Sequence, residues 1–430
     1  MFPSNNLQKI AKNLKLWYYT PRILGSMIMY PRNIYPQILD AMKHFPVVLL
    51  TGARQVGKST LALNVLENYI TLDDITVFSS AKTDPRLFIE NLKKPVVIDE
   101  IQKVPELLSA IKIDVDRKRI NGTYLLTGSA NILSYKNIAD TLAGRMVILE
   151  LFPLSCKEIL AKSENTIDIF FSSKPEDIPL SAVDNKSIVS QIIKGGYPEL
   201  QKIDMQKGRY LWFSSYIRTY IERDIRDIGE LRNIDKFIRM FNMLAPRSGN
   251  LLNKLDLATN SSIDVKTLDN YLELLKMVYQ IYLLKPYSRN VGKRFTKTEK
   301  LFFTDSGVLS HLLGISEYED LIASNYKGNI FETFVFSELL KAVNYSERPT
   351  NLFFFRLLDG KEIDFIIERG NSIIAIEVKL SQTVTKEDFK NITYLKKNIS
   401  NLKYGYVLYM GDRILPFGKN LFALPISIFF

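Results

Sequence analysis

The hydrophobic and polar positions of this chain change their period along its length. From Tyr35 to Leu154, short apolar runs alternate with segments of helical spacing. Val47–Leu50 reads as a buried strand, and Tyr69–Leu72, Pro95–Asp99, Tyr124–Thr127 and Val147–Leu151 read as further strands. Lys58–Asn68 reads as a helix with Leu61, Val65 and Leu66 on one face. Strands this apolar, separated by helices, belong in a parallel sheet covered on both faces. Residues 163–184 are polar and carry prolines, the pattern of a loop-rich connector.

From Tyr210 to Met277 the period is helical. Arg218, Glu222 and Arg226 stand four apart, a spacing that makes a solvated ion-pair face. A short helix at Leu251–Ala258, a turn at Thr259–Ser262 and a longer helix at Asp264–Met277 come next. A strand at Val278–Lys285, a basic tip (Arg289, Lys293, Arg294, Lys297, Lys300) and a return strand at Lys300–Thr304 complete the order of a winged helix-turn-helix. The last block has a helix at Ile330–Val343 and strands at Asn351–Leu357, Ile363–Glu368 and Ile373–Leu380. A helix near Lys386–Lys397 and a strand at Tyr404–Tyr409 follow. The expected class is α/β. Its divisions are a basic, poorly ordered leader (1–33), a nucleotide-binding domain (34–160), a connector (161–209), a helical and winged-helix domain (210–325) and a mixed α/β domain (326–430).

Composition narrows this picture. A chain of 430 residues is too long for one core. Its net charge of +11 leans toward an anionic partner without requiring one. The single cysteine, Cys156, excludes an intrachain disulfide and suits a reducing, cytoplasmic setting. Two histidines, His44 and His311, exclude a Cys/His zinc cluster and make Ser-His-Asp catalysis hard to build; both are expected to be structural. Any metal should therefore be a hard cation held by oxygen. No run of 18 apolar residues is present, so no membrane span is expected. No acidic residue precedes Asp40, so the basic leader resembles a transit peptide, a loose tail, or the product of an upstream start before Met27 or Met29.

The chemistry begins at TGARQVGKST, Thr51 to Thr60. Gly52, Gly57, Lys58 and Ser59 fit the spacing of a phosphate-binding loop. Backbone N–H groups of Ala53, Arg54, Gln55 and Val56 would wrap a phosphate, Lys58 would reach the β and γ oxygens, and the Ser59 hydroxyl would ligate Mg²⁺, with Thr60 completing the motif. In PVVIDEI, Asp99 would hold the Mg²⁺ shell and Glu100 would activate the attacking water. In YLLTGSAN, Thr127 or Ser129 could sense the γ-phosphate or cap the next helix. Arg145 is either a surface charge or an arginine that completes a neighbouring subunit's site, so a homo-oligomer is one expectation.

FPVVLLTGARQVGKST, VVIDEIQKVPELL, YLLTGSAN and LAGRMVILELFPLS together resemble the AAA-type ATPases of bacteria and archaea that carry a C-terminal domain of unknown function. TYIERDIRDI, FFTDSGVLSHLLGI and GNIFETFVFSEL extend the resemblance from about Ile34 to about Ser400. It implies an ATP-binding core, a winged-helix part and a restriction-endonuclease-like end. Within that end, Glu377 and Lys379 stand two apart on one strand face, with Asp364 on the preceding strand and Glu332 on the helix before it. That set resembles the nuclease arrangement, in which the carboxylates of Glu332, Asp364 and Glu377 hold a second Mg²⁺ or Mn²⁺ and Lys379 steadies the attacking hydroxide. A plain ion pair between Glu377 and Lys379 is the competing explanation. The expected function is ATP-driven work on DNA. The alternative is a nucleotide-dependent switch or interaction protein that cuts nothing.

Overall fold

A computed structural model describes residues 22–24, 27–128, 142–221, 225, 233–288, 298–357 and 359–430. Ser129, most of the Arg218–Arg226 ladder and the basic residues Arg289, Lys293, Arg294 and Lys297 lie outside the described residues.

β1 (Arg22–Leu24) and β2 (Met27–Met29) pair as an antiparallel hairpin. β3 (Val47–Thr51), β4 (Tyr69–Thr71), β5 (Val96–Asp99), β6 (Tyr124–Gly128) and β7 (Met146–Glu150) form a five-stranded parallel sheet in the order 4-5-6-3-7. The alternation along β3 shows why this sequence is a central strand. Val47 and Leu49 enter one core with Ile98, Leu126 and Ile111, while Val48 and Leu50 enter another with Ile38, Ala62 and Val97. A strand that is apolar at every position has no solvent face to offer.

The second of these cores does not stop at the sheet. It continues through Tyr216, Phe241 and Phe302 to Phe336 and Tyr406, so all parts of the chain share it. In the middle part, helices Lys254–Ser261 and Val265–Met277 are capped by Asn253 and Asp264, whose side chains accept from Asp256 N and Thr267 N at 3.1 and 2.9 Å. They pack beside a three-stranded antiparallel sheet of β8 (Asn250–Leu251), β10 (Lys300–Phe303) and β9 (Ile281–Leu284), in the order 8-10-9. The first helix starts three residues later than the pattern suggested, because Leu251 belongs to β8 and Asn253 is the cap.

An 18-residue helix, Lys327–Asn344, opens the last part. It lies on a mixed sheet of β11 (Asn351–Arg356), β12 (Glu362–Arg369), β13 (Ser372–Lys379), β14 (Leu402–Tyr409), β15 (Leu415–Gly418) and β16 (Leu421–Pro425), ordered 11-12-13-14-16-15. Helix Lys390–Asn398 makes the crossover that the parallel pair β13–β14 requires. Backbone bonds from Tyr287 N to Phe354 O (2.6 Å) and from Phe354 N to Lys285 O (3.2 Å) join the middle sheet to this one. Within 163–184, expected to be loop, a helix forms at Thr166–Ser172, started by the Asn165 cap. Among the described residues no helix is long and apolar enough to cross a membrane.

Candidate nucleotide site and the C-terminal carboxylates

The loop after β3 leaves the carboxyl end of the sheet, where parallel α/β sheets open their crevice. Gly52 takes φ +143°, and a Cβ there would sit 2.2 Å from the Leu151 carbonyl oxygen, so no side chain fits. Gly57, at φ +95°, turns the chain into helix Lys58–Val65, and Gln55 holds a left-handed conformation at φ +62°. The buried Lys58 ammonium donates to Gly52 O at 2.9 Å and Ala53 O at 2.7 Å, closing the loop around itself. Ser59 Oγ donates to Asp99 Oδ1 at 3.1 Å.

Asp99 is the hub of the polar cluster. It is 3% exposed and also accepts from the Tyr69 and Thr127 hydroxyls. Burial, then the hydrogen bond and charge of Asp99, hold the Tyr69 phenol above its ordinary pKa, so it remains a donor. Thr127 is fully buried, and its Oγ1 accepts from Glu100 N at 3.3 Å while donating to Asp99. One hydroxyl thus fixes both acidic residues. Glu100 has a left-handed backbone (φ +59°), and its carboxylate accepts from the Gln102 amide. A cavity of about 480 Å³ runs along the loop, lined by Lys58, Ser59 and Glu100, by Tyr30 and Pro31 from before β3, and by Pro198 and Glu199. A serine hydroxyl beside a buried carboxylate is an oxygen donor set that suits Mg²⁺.

Arg145 lies away from this site. Its carbonyl pairs with Val47 N at the amino end of β3, a five-residue strand away from the loop, or about 16 Å. Its guanidinium pairs with Asp116 and donates to Ala143 O at 3.0 Å. Arg145 therefore does not reach the loop of its own chain.

Sequence reasoning placed Arg32 in a loose leader, but the structure makes it the brace behind the loop. Its side chain is 6% exposed. Nη1 donates to Val56 O at 2.7 Å, Nη2 to Phe152 O at 2.6 Å, and Nε pairs with the fully buried Glu158 at 3.2 Å. Glu158 also accepts from Asn33 N (2.7 Å) and Ser155 N (2.9 Å). The same segment is gripped from its far side by helix Lys327–Asn344 and the residue after it. Phe152 N donates to Tyr345 Oη at 2.9 Å, Cys156 N to Glu338 Oε2 at 3.0 Å, and Lys341 Nζ to Leu154 O at 3.0 Å. No spacing in the sequence signals bonds that span 120 residues and more.

Of the histidines, His311 stacks on Phe213 at 5.3 Å and His44 sits on the surface 3.7 Å from Asp40, both remote from the loop chemistry.

The C-terminal carboxylates do not take the expected arrangement. Among the described residues no three His, Cys, Asp or Glu side chains are grouped to hold a metal ion. Glu332 instead pairs with Lys300 Nζ at 3.1 Å, and Glu362 pairs with the same ammonium. Asp364 accepts from Val378 N at 2.8 Å, and Glu377 accepts from Asn391 Nδ2 at 3.5 Å. Burial, then the nearby Asp364 charge, push Glu332 up to about 8 and Glu377 up to about 9. Lys379, half-buried, draws Glu377 the other way through its charge. The reason for the difference is Lys300. Read as part of a solvated basic tip, it is 2% exposed and points into the cluster.

Comparisons with known proteins agree with the loop geometry. A family described as an AAA domain matches residues 44–160. The chain carries an AAA-type, ATP-binding domain. Two domains of unknown function match residues 185–319 (DUF8612) and 327–429 (DUF4143). An uncharacterized protein of Mycobacterium tuberculosis is 27% identical over 418 residues, covering 96% of this chain and 88% of its own. Another from Haemophilus influenzae is 26% identical, covering 88% of this chain and 93% of its own. A RuvB variant of Thermotoga maritima aligns at 18% identity over 58% of this chain and 88% of its own, with a TM-score of 0.28, too low to carry an argument.

Proposed function

We propose that the chain is an AAA-type ATPase that works as a nucleotide-dependent switch, with the state of the phosphate loop passed to its C-terminal domain. The observation that carries this is the Arg32 brace. One guanidinium bonds the loop at Val56 and the 152–158 segment, and helix Lys327–Asn344 holds that segment from its other side. A loop that moves on binding phosphate must therefore pull on, or release, the segment that seats the C-terminal helix.

In the hydrolytic step, Lys58 turns from the Gly52 and Ala53 carbonyls to the β and γ phosphate oxygens, whose charge replaces the two dipoles it now satisfies. Ser59 and Asp99 would hold a Mg²⁺ ion, which when bound would supply positive charge beside the phosphates. Glu100 takes the proton of the attacking water. Thr127 is a positioning residue, tying the Glu100 backbone to Asp99. Arg145, paired with Asp116 and remote from its own loop, is left the role of completing a neighbouring subunit's site. The test is turnover and binding by the purified chain. Glu100→Gln keeps ATP binding and loses about 10²-fold or more in rate, and Lys58→Ala loses binding. Parent-rate hydrolysis by Glu100→Gln removes that residue from its role.

A second reading, ATP-driven contact with DNA through a winged helix, draws on the basic residues between Arg289 and Lys300. The helix pair weighs against it. Residues 254–277 carry Lys254, Lys266 and Lys276 against Asp256, Asp264, Asp269 and Glu273, and Lys254 and Lys276 are already paired at 2.7 and 2.8 Å. Phosphate contacts by the tip give a salt slope near −0.9 per phosphate neutralised. Replacing Arg289, Lys293, Arg294 and Lys297 together flattens that slope if the second reading holds. Unchanged affinity at about 50 mM salt dismisses the tip.

A further inference from the structure

Lys300 sits where the C-terminal carboxylates meet, and it comes from another sheet. It is the first residue of β10, in the middle part, while Glu332 lies on the following long helix and Glu362 opens β12. Its ammonium bonds both carboxylates, faces the charge of Asp364 as well, and lies 5.7 Å over the Phe354 ring. The site is built around it. Two residues on, Phe302 stacks on Phe336 of the long helix, with centroids 4.3 Å apart and planes 12° apart, and Phe365 of β12 closes the same patch. The other Glu332 oxygen lies against Gly249, where even a Cβ would come within 3.1 Å. Glu362 is held in turn by Arg356 at 2.6 Å.

We infer that Lys300 is the resident cation of this cluster. It holds the place a divalent metal would need, and so makes the Glu332–Glu362–Asp364 group an interdomain clasp closed to metal. The physical argument is one of charge and room. Carboxylates gathered in a partly buried place repel one another unless a cation sits among them. A lysine ammonium supplies that cation from within the chain, at no cost in bound ion. A divalent ion of the same site requires ligand oxygens at roughly 2.0–2.6 Å around one centre. The ammonium, lying over the Phe354 ring with its two carboxylates already bonded, occupies that centre. The middle sheet cannot carry Lys300 away alone, because the Lys285–Tyr287 segment is bonded to β11 and Phe302 is stacked into the long helix.

The experiment is Mn²⁺ binding by electron paramagnetic resonance on the full chain without nucleotide, so that its outcome does not depend on ATP hydrolysis. The wild-type chain shows no Mn²⁺ site that Asp364→Asn removes. Lys300→Met, which keeps the stem and deletes the charge, gains one such site, and adding Asp364→Asn abolishes it. Either an Asp364-dependent site in the wild-type chain or a folded Lys300→Met chain that gains none overturns the inference. Where Lys300→Met does not fold, the paired variant Lys300→Met/Glu332→Gln removes one charge of each sign. Recovery of folding in that pair supports the clasp, and a pair as unfolded as the single variant contradicts it.

Discussion

Replacing Arg32 by alanine removes a side chain that hydrogen-bonds both the phosphate loop and the segment under the C-terminal helix. Three acceptors lose a partner at once. Glu158, with a side chain 0% exposed, loses a 3.2 Å ion pair with an arginine that is itself 6% exposed. Deleting one member of a buried pair costs about 3–5 kcal/mol. Glu158 keeps two backbone donors, Asn33 N and Ser155 N, which pulls its share toward the lower end. The carbonyls of Val56 and Phe152 lose charge-assisted bonds of 2.7 and 2.6 Å, each adding about 1–3 kcal/mol where no water replaces the donor. The expected loss is therefore about 5 kcal/mol, taking each contribution at its lower end. Arg32→Lys keeps the charge but cannot fork to three acceptors, and it recovers less than half of the loss. The assay is urea unfolding with ATP affinity measured alongside. A looser Val56 should weaken ATP binding by about tenfold, equivalent to about 1.4 kcal/mol. An Arg32→Ala chain within about 1 kcal/mol of wild type, binding ATP as well, refutes the brace.

Thr127→Val keeps the shape and deletes the hydroxyl between Glu100 N and Asp99; it should lower the hydrolysis rate about tenfold or more with little change in ATP affinity, whereas an affinity loss of equal size would make Thr127 a phosphate contact. Ser59→Ala should raise the Mg²⁺ concentration needed for half-maximal turnover, and an unchanged Mg²⁺ requirement would take Ser59 out of the ion's shell. Burial pushes Glu150, at the end of β7, up to about 7. A carboxyl with a raised folded pKa contributes stability that is full below its ordinary value near 4.5 and is lost as pH rises through 7. Glu150→Gln should therefore match wild type at about pH 4 and exceed its melting temperature at about pH 8, and a difference that does not grow with pH would remove Glu150 as the cause.

Local signals in the sequence were strong where a residue's role depends on its neighbours along the chain. The β3 run and the glycines at 52 and 57 announced the loop, since only glycine tolerates the φ angles and the 2.2 Å approach found there. Asp99 and Glu100 were legible because they end an apolar strand. β15 and β16 were missed because Leu415–Gly418 is four residues long and contains Pro416, with Gly418 at its end, so no alternation could build up. Helix Thr166–Ser172 was hidden by its polar flanks, although Asn165 is a good cap. The failures at the sites share one cause. Arg32 acts on groups 24, 120 and 126 residues away, and Lys300 on Glu332 and Glu362, so neither role has a local pattern. Arg32 was assigned to an acid-free leader and Lys300 to a basic tip, so neither was expected to be buried.

The measurement that bears most directly on the switch is amide hydrogen exchange of the Glu100→Gln chain with and without ATP and Mg²⁺. Peptides covering 52–60, 150–158 and 327–345 are compared between the two states. The Arg32 brace predicts that nucleotide changes protection in all three, and that Arg32→Lys confines the change to 52–60. Protection that changes only around the loop in the parent chain, with 150–158 and 327–345 unmoved, would contradict it.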